Sequence, residues 1–296
     1  MAGKSTSVLG IFISIGIAAV VAVAGSDGGT RVVGLPVFLL CGILAFLIQW
    51  LSFIPAYIFQ TEKYYDLTGS LTYISLALLA LALSDVTQPG SVLIVFMVIV
   101  WAVRLGSFLF MRIRADGSDV RFNKIKPDFF WFLMTWTLQG LWVFVTFSAG
   151  LAAITSVQPH PVDGFVLAGT AVWALGFVIE VIADRQKRNF RAVAANENSF
   201  IQHGLWKFSR HPNYFGEILL WCGIALAAYP ALSGWQHLTL ISPVFVYLLL
   251  TQVSGIKMLE ARARKRWGDD EAYLAYLSHT PALIPNPLRV GVNRPD

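Results

Sequence analysis

Eight apolar stretches dominate the sequence, at approximately 7–24, 34–59, 68–84, 91–111, 129–155, 164–183, 213–231 and 237–256. Each is near or above the ~20 residues that a helix needs to cross the hydrocarbon core of a bilayer. Backbone N–H and C=O groups find no water there, so such a chain must close its hydrogen bonds within each segment. The expected fold class is therefore all-α: a polytopic integral membrane helical bundle. Seven helices form its core, and the first stretch is a possible eighth, N-terminal span. Lys4 ahead of an apolar run and the small residues Val23-Ala24-Gly25 faintly resemble a secretory signal, but a retained helix is the favoured reading.

With 56% of residues apolar and 13% charged, no separate soluble domain is expected, and residues 1–296 read as a single membrane domain. Lys and Arg set its orientation. Residues 112–128 carry five, 185–212 six and 257–296 seven of the 22 in the chain, while 85–90, 156–163 and 232–236 carry none. By the positive-inside rule the three basic segments and the C-terminus are cytoplasmic, and eight spans would put the N-terminus there too. The same rule accounts for the net charge of +5 without a nucleic-acid partner. Cys41 and Cys222 both lie in apolar runs and read as small core residues rather than a disulfide or metal pair.

Arg210-His211-Pro212-Asn213-Tyr214-Phe215-Gly216-Glu217 places many polar groups at the mouth of an apolar span. Pro212 suits the first turn of a helix, where its missing N–H costs nothing. Asn213, Glu217 and Trp221 then recur at i, i+4 and i+8 on one face, with Gly216 allowing a close approach beside them. A carboxylate at this depth costs roughly 2.5–3.5 kcal/mol against lipid, so it is expected to face a protein-lined cavity. The plainer alternative is an interfacial cap in which Glu217 pairs with Arg210 or a nearby loop.

Four further clusters are candidates. Gln60 to Gly69 offers Glu62, Tyr64, Tyr65 and Asp66, two carboxylates and two phenols suited to polarising a carbonyl oxygen; an interfacial turn is the alternative. Arg112 and Arg114, entering a turn with Gly117 and Asp119, suit bidentate phosphate contacts. So do Lys187, Arg188 and Arg191, beyond the polar stripe of Glu180 and Asp184; in both cases simple basic flanking is the alternative. Glu260 and the tail bearing Tyr273 and Tyr276 complete the set, the tyrosines either stacking on a base or packing on the bundle. There is no Rossmann or P-loop fingerprint and no metal-ligand spacing among the five histidines.

The segment Gly204-Leu205-Trp206 through Arg210-His211-Pro212-Asn213-Tyr214-Phe215-Gly216-Glu217, with Glu260 and the tail ending Leu283-Ile284-Pro285, resembles the C-terminal half of the steroid 5α-reductase superfamily. The chain looks like a bacterial membrane member of that group, with the similarity concentrated in about residues 100–286. The resemblance implies a reductase that uses NADPH to reduce the C4–C5 double bond of a 3-oxo-Δ4 steroid or similar enone lipid. It would sit in the bacterial inner membrane with its cofactor site facing the cytoplasm, and its partners would be an apolar small molecule and membrane lipid.

It further implies a cofactor site drawn from Arg112, Arg114, Asp119, Asp184, Lys187, Arg188, Arg191, Trp206, Arg210, His211, Asn213, Tyr214, Glu217, Glu260 and Tyr273, with no metal. The family's substrate-binding Gln-Glu pair falls at Gln60-Thr61-Glu62, and its catalytic tyrosine falls near Trp101, leaving Tyr64 or Tyr65 to supply the phenol. In this scheme Glu62 is protonated, its pKa raised by an apolar site, and donates a hydrogen bond to the substrate carbonyl. The alternative is an S-adenosylmethionine-dependent membrane methyltransferase of the isoprenylcysteine or phospholipid type, which shares the Arg-His-Pro-x-Tyr-x-Gly pattern but has no phosphates for the basic clusters to hold.

Overall fold

A computed structural model of the chain describes residues 3–287; positions 1–2 and 288–296, included in the expected single domain, lie outside the described residues. Eight helical segments are long and apolar enough to cross a membrane. They include α1 (Lys4–Gly25), α2 (Val37–Ile58), α3 (Tyr65–Leu83), α4 (Pro89–Asp116), α5 (Phe129–Thr155), α6 (Gly164–Arg191) and α7 (Pro212–Ala228). The eighth, Gly234–Trp267, is composite. It runs through a 3-10 segment (Gly234–Ile241), α8 (Ser242–Leu248), a π turn (Leu249–Val253) and α9 (Ile256–Trp267), and α10 (Glu271–His279) follows. The only sheet among the described residues is a hairpin of two-residue strands, β1 (Arg31–Val32) and β2 (Leu35–Pro36).

The first six helices start close to where the apolar periodicity places them, α4 and α6 run on past their apolar stretches to Asp116 and Arg191, and α7 begins at Pro212, where a proline ring suits the first turn. The last span departs from expectation. It is interrupted at Ser254-Gly255 and then resumes as helix to Trp267. At Gly255 a Cβ would sit 2.0 Å from the Leu250 carbonyl oxygen, so only glycine permits the break.

The fold divides into two compact units. The first comprises residues up to Gly169 together with Ile224–Ser242. At its centre is α5, whose stretch from Gln139 to Thr155 is buried on every side, as an uncharged helix that is hydrophobic all round should be. Around it pack α1, α2, α3 and the 3-10 segment Gly234–Ile241. Within this unit His160 is fully buried between Ser91 Oγ (3.1 Å to Nδ1) and the Ala227 carbonyl (2.9 Å from Nε2). Because the carbonyl only accepts, Nε2 carries the proton and Nδ1 accepts from Ser91.

The second unit holds Thr170–Gly223 and the chain from Pro243 onward. Here α6 and α7 meet backbone to backbone. A Cβ on Gly216 would lie 2.6 Å from the Gly176 carbonyl oxygen and 2.7 Å from the Glu180 nitrogen. A Cβ on Gly176 would lie 2.5 Å from the Leu220 nitrogen. Neither clash can be relieved by rotating a side chain. Gly216→Ala or Gly176→Ala should therefore each cost about 1–3 kcal/mol of stability through overpacking. Gly16→Ala, where an added Cβ meets nothing within 4 Å, should be neutral. Thermal unfolding in detergent compares the three, and equal melting temperatures would contradict this crossing.

Candidate functional site

The α2–α3 turn owes its shape to Gln60. Its φ of +49° is left-handed, and Thr61 N–H reaches back to the Ala56 carbonyl at 2.9 Å, the six-to-one bond that ends a helix in this way. The chain is thereby reversed so that Glu62 turns inward, to 4% exposure. Its Oε1 accepts the Asp119 N–H at 2.8 Å and its Oε2 pairs with Lys126 Nζ at 2.5 Å. Burial pushes the Glu62 carboxyl up, but these donors outweigh it and hold the group below the ordinary carboxylate range.

The sequence predicts the opposite shift, on the premise of an apolar site. That expectation is corrected: Glu62 is ionised, and in this state it accepts hydrogen bonds and cannot donate one. Lys126 is the residue that sequence reasoning missed. It sits in a basic segment, where a lysine that serves topology and a lysine that pairs with a buried carboxylate look alike.

The other members of this cluster occupy distinct surroundings. Tyr65 donates from its hydroxyl to the Thr135 carbonyl at 2.9 Å and packs edge-on against Phe122 and Trp136. Tyr64 is 58% exposed and stacks on Phe110. Asp66, in the first turn of α3, lies 3.6 Å from Arg112. Arg112 therefore answers a carboxylate of its own unit, while exposed Arg114 lies over the Phe110 ring. Gly117, at φ +78°, ends α4, and Asp119 then caps the short helix Val120–Lys124 by accepting the Arg121 N–H at 2.9 Å. Its side chain also accepts from Arg121 Nε at 2.7 Å. The loop from Gly117 to Asp128 is thus an ordered strap tied to the α2–α3 turn through Glu62.

In the second unit the Gly176–Gly216 crossing places the polar stripe of α6 beside the mouth of α7. Asn213 Nδ2 donates to Asp184 Oδ1 at 3.2 Å. Glu180 and Asp184 are 2% and 7% exposed, and Glu217 is half-buried one turn along α7 from Asn213. The one-face arrangement expected for Asn213, Glu217 and Trp221 is thus built on a helix whose partner supplies two more carboxylates.

Around this centre stands a supporting layer. Trp206 is buried and donates from Nε1 to the Ala183 carbonyl at 3.1 Å, while the Lys187 ammonium lies 4.5 Å from its ring centroid. Trp206 is therefore a wall that orients Lys187. Arg188 and Arg191 are exposed on the last turn of α6, where the helix dipole also favours cations.

Arg210 pairs with Glu260, on α9, at 2.9 Å. His211 stacks on Tyr214 and faces Glu260 at 3.6 Å. Burial, against the pull of Glu260, holds the His211 imidazole below its ordinary range, so it is neutral near pH 7. Tyr273 is buried against Phe200 and Trp267, and Tyr276 donates to the Trp206 carbonyl at 2.7 Å. Of the two roles open to these tyrosines, the geometry supports packing. Among the described residues no cluster of three or more His, Cys, Asp or Glu side chains could hold a metal ion.

A family model described as "Protein of unknown function (DUF1295)" matches residues 52–280. The chain is also similar to 3-oxo-5-alpha-steroid 4-dehydrogenase 1 of several mammals. It is 36% identical to the Bos taurus protein over 73 residues, 25% of this chain and 28% of that protein. For the Mus musculus protein the figures are 38% over 63 residues, 21% and 25%, and for the Homo sapiens protein 36% over 67 residues, 23% and 26%. The matched segment thus spans only about a quarter of these relatives' length. No solved structure matches the chain. The family match, covering most of the chain, together with an eight-segment apolar helical architecture, leads to one assignment: this chain belongs to the DUF1295 family, a steroid 5α-reductase-like family.

Proposed function

We propose that this chain is an NADPH-dependent oxidoreductase that reduces the C4–C5 double bond of a 3-oxo-Δ4 steroid or a similar enone lipid. In this reading it works in a bacterial inner membrane and takes its cofactor from the cytoplasm. The observation that carries the reading is the Asn213–Asp184 pair, held at a backbone-tight crossing of two apolar helices in a chain of this family.

The second unit fits the chemistry of a nicotinamide dinucleotide. Asn213, Asp184 and Glu217 offer the mixed donors and acceptors that a carboxamide pairs with. Lys187, Arg188 and Arg191 offer cations suited to phosphate. Arg210 Nε and His211 Nδ1 are buried without a hydrogen-bond partner among the described residues, and a polar ligand would satisfy such atoms.

When bound, NADPH supplies a hydride to the electron-poor carbon of the enone. The chain's own task is to hold a carbonyl oxygen and stabilise the charge that develops there. The anionic Glu62 cannot donate to that oxygen. We assign donation to the Lys126 ammonium and the Tyr64 hydroxyl, with Glu62 as the positioning residue that fixes Lys126 and the Gly117–Asp128 strap.

Cofactor choice is tested by thermal shift of the detergent-purified chain. NADPH should raise the melting temperature more than NADH. Arg188→Ala and Asn213→Ala should each weaken binding roughly tenfold, the loss expected for one charge-assisted or well-placed polar contact. Stabilisation by S-adenosylmethionine alone would overturn the reading and return the basic side chains to topology.

The carbonyl assignment is tested by turnover at saturating cofactor. Lys126→Met should lower kcat by about 10²-fold, the lower end for a positioned proton donor. Glu62→Gln should lower it too, and unchanged turnover in both variants would refute the assignment.

The ionisation of Glu62 has its own signature. A carboxyl held below its ordinary range contributes stability that is full above the unfolded pKa of about 4.3 and is lost as the pH falls through the lower folded value. The melting-temperature gap between the native chain and Glu62→Gln should therefore be constant from pH 7 to 5 and shrink below about pH 4. A gap that widens on acidification would mean that Glu62 is protonated after all.

A further inference from the structure

We infer that the first unit carries a phospholipid site, on the membrane side opposite the Gly117–Asp128 strap, and that its ligand is a zwitterionic lipid bearing a phosphate and an ammonium group. A cleft of about 770 Å³ opens there between the end of α1, the start of α2 and the 3-10 segment, within the size range of small-molecule sites. Its wall is apolar, built from Ala19, Val20 and Val23 of α1 with Leu39 and Leu238. The two helices that flank it are locked where Gly25 of α1 meets the Phe38 ring of α2, so tightly that a Cβ on Gly25 would lie 2.3 Å from ring carbons.

The rim carries two opposite charges. Arg31 is exposed and donates one bond to the Gly34 carbonyl at 3.2 Å, a small share of the five donors of a guanidinium. Asp27 lines the same cleft, and its Oδ2 accepts the Trp235 N–H at 2.8 Å. A cation and an anion at one rim complement a phosphate next to an ammonium; a singly anionic headgroup would meet Asp27 as a repulsive neighbour. Trp235, 73% exposed, stands where aromatic side chains favour the interface between headgroup and acyl chain.

The hairpin that holds Arg31 gives an independent indication. Val33, at its tip, has φ +52° and is 97% exposed. Left-handed backbone is disfavoured for a β-branched residue, and a turn in water would favour Asn or Gly there. An apolar side chain on such a tip gains by entering lipid, which places the Arg31 hairpin at the membrane surface. With Leu35, 49% exposed on the next strand, the tip forms an apolar point beside a charged rim.

The full chain in mild detergent is titrated with dioleoyl phosphatidylethanolamine, dioleoyl phosphatidylglycerol and dioleoylglycerol, with bound lipid counted by native mass spectrometry. Phosphatidylethanolamine should bind best. Arg31→Gln should weaken it roughly tenfold, and Asp27→Asn should shift the preference toward phosphatidylglycerol. Ala19→Trp, which fills the cleft without touching either charge, should abolish binding while leaving the melting temperature of the lipid-free chain unchanged. The site does not exist if all three lipids bind alike to the native chain and to Arg31→Gln. A preference of the native chain for phosphatidylglycerol also overturns it, as does a doubled particle mass that Ala19→Trp returns to one chain.

Discussion

In a hydrocarbon layer every backbone polar group must be satisfied from within the protein, and each side chain that keeps a charge there must find a partner or a cavity. The first requirement makes eight helical segments out of eight apolar stretches. The second governs how two of them pack. Glu180 and Asp184 lie buried near the end of an apolar helix, and α7 comes close enough to bring Asn213 into hydrogen-bond range of Asp184. That approach in turn needs Gly176 and Gly216 to have no side chains. The proposed cofactor site and a packing motif therefore share one region of the second unit.

The two polar clusters are stabilised in different ways. At Glu62 an anion is buried against a cation and a backbone donor, an arrangement in which removing one partner strands the other and is costly. Its geometry depends on a left-handed Gln60, a strained choice for a residue with a side chain, retained because it turns Glu62 inward. The Asp184 cluster depends instead on helix crossing and on the rigid wall of Trp206, pinned through its ring nitrogen and its carbonyl. Packing of this kind fixes polar side chains in place before any ligand arrives, which lowers the ordering cost of binding.

What the sequence can reveal follows from the range of each interaction. Spans, the start at Pro212 and the polar face of Asn213 and Glu217 are properties of neighbouring residues, and periodicity exposes them. So is the turn at Gly117, where a glycine with positive φ ends α4. The charge state of Glu62 is not legible in this way, because Lys126 stands 64 residues away in a segment whose basic residues are all explained by orientation. For Arg210 the sequence offers a nearby glutamate, whereas Glu260 answers it from a different helix. The break in the last span is legible in principle. Ser254-Gly255 interrupts an apolar run and marks a weak point for helix, but only the approach of Leu250 explains why glycine is required there.

An ionised Glu62 also changes how the proposed carbonyl chemistry would work. A protonated carboxylic acid polarises a carbonyl by giving up part of its own proton, and its strength depends on a raised pKa that an apolar pocket must maintain. An anion that holds a lysine works differently: it fixes the position of the Nζ donor, so the donor is in place before any oxygen becomes negative. The direction of the Glu62 shift is a balance, in which burial raises the carboxyl and the Lys126 and Asp119 donors together outweigh it. That balance depends on the strap, since Asp119 and Lys126 both belong to it. Under the proposed function, the loop between α4 and α5 would thereby be coupled to the carbonyl step through Glu62.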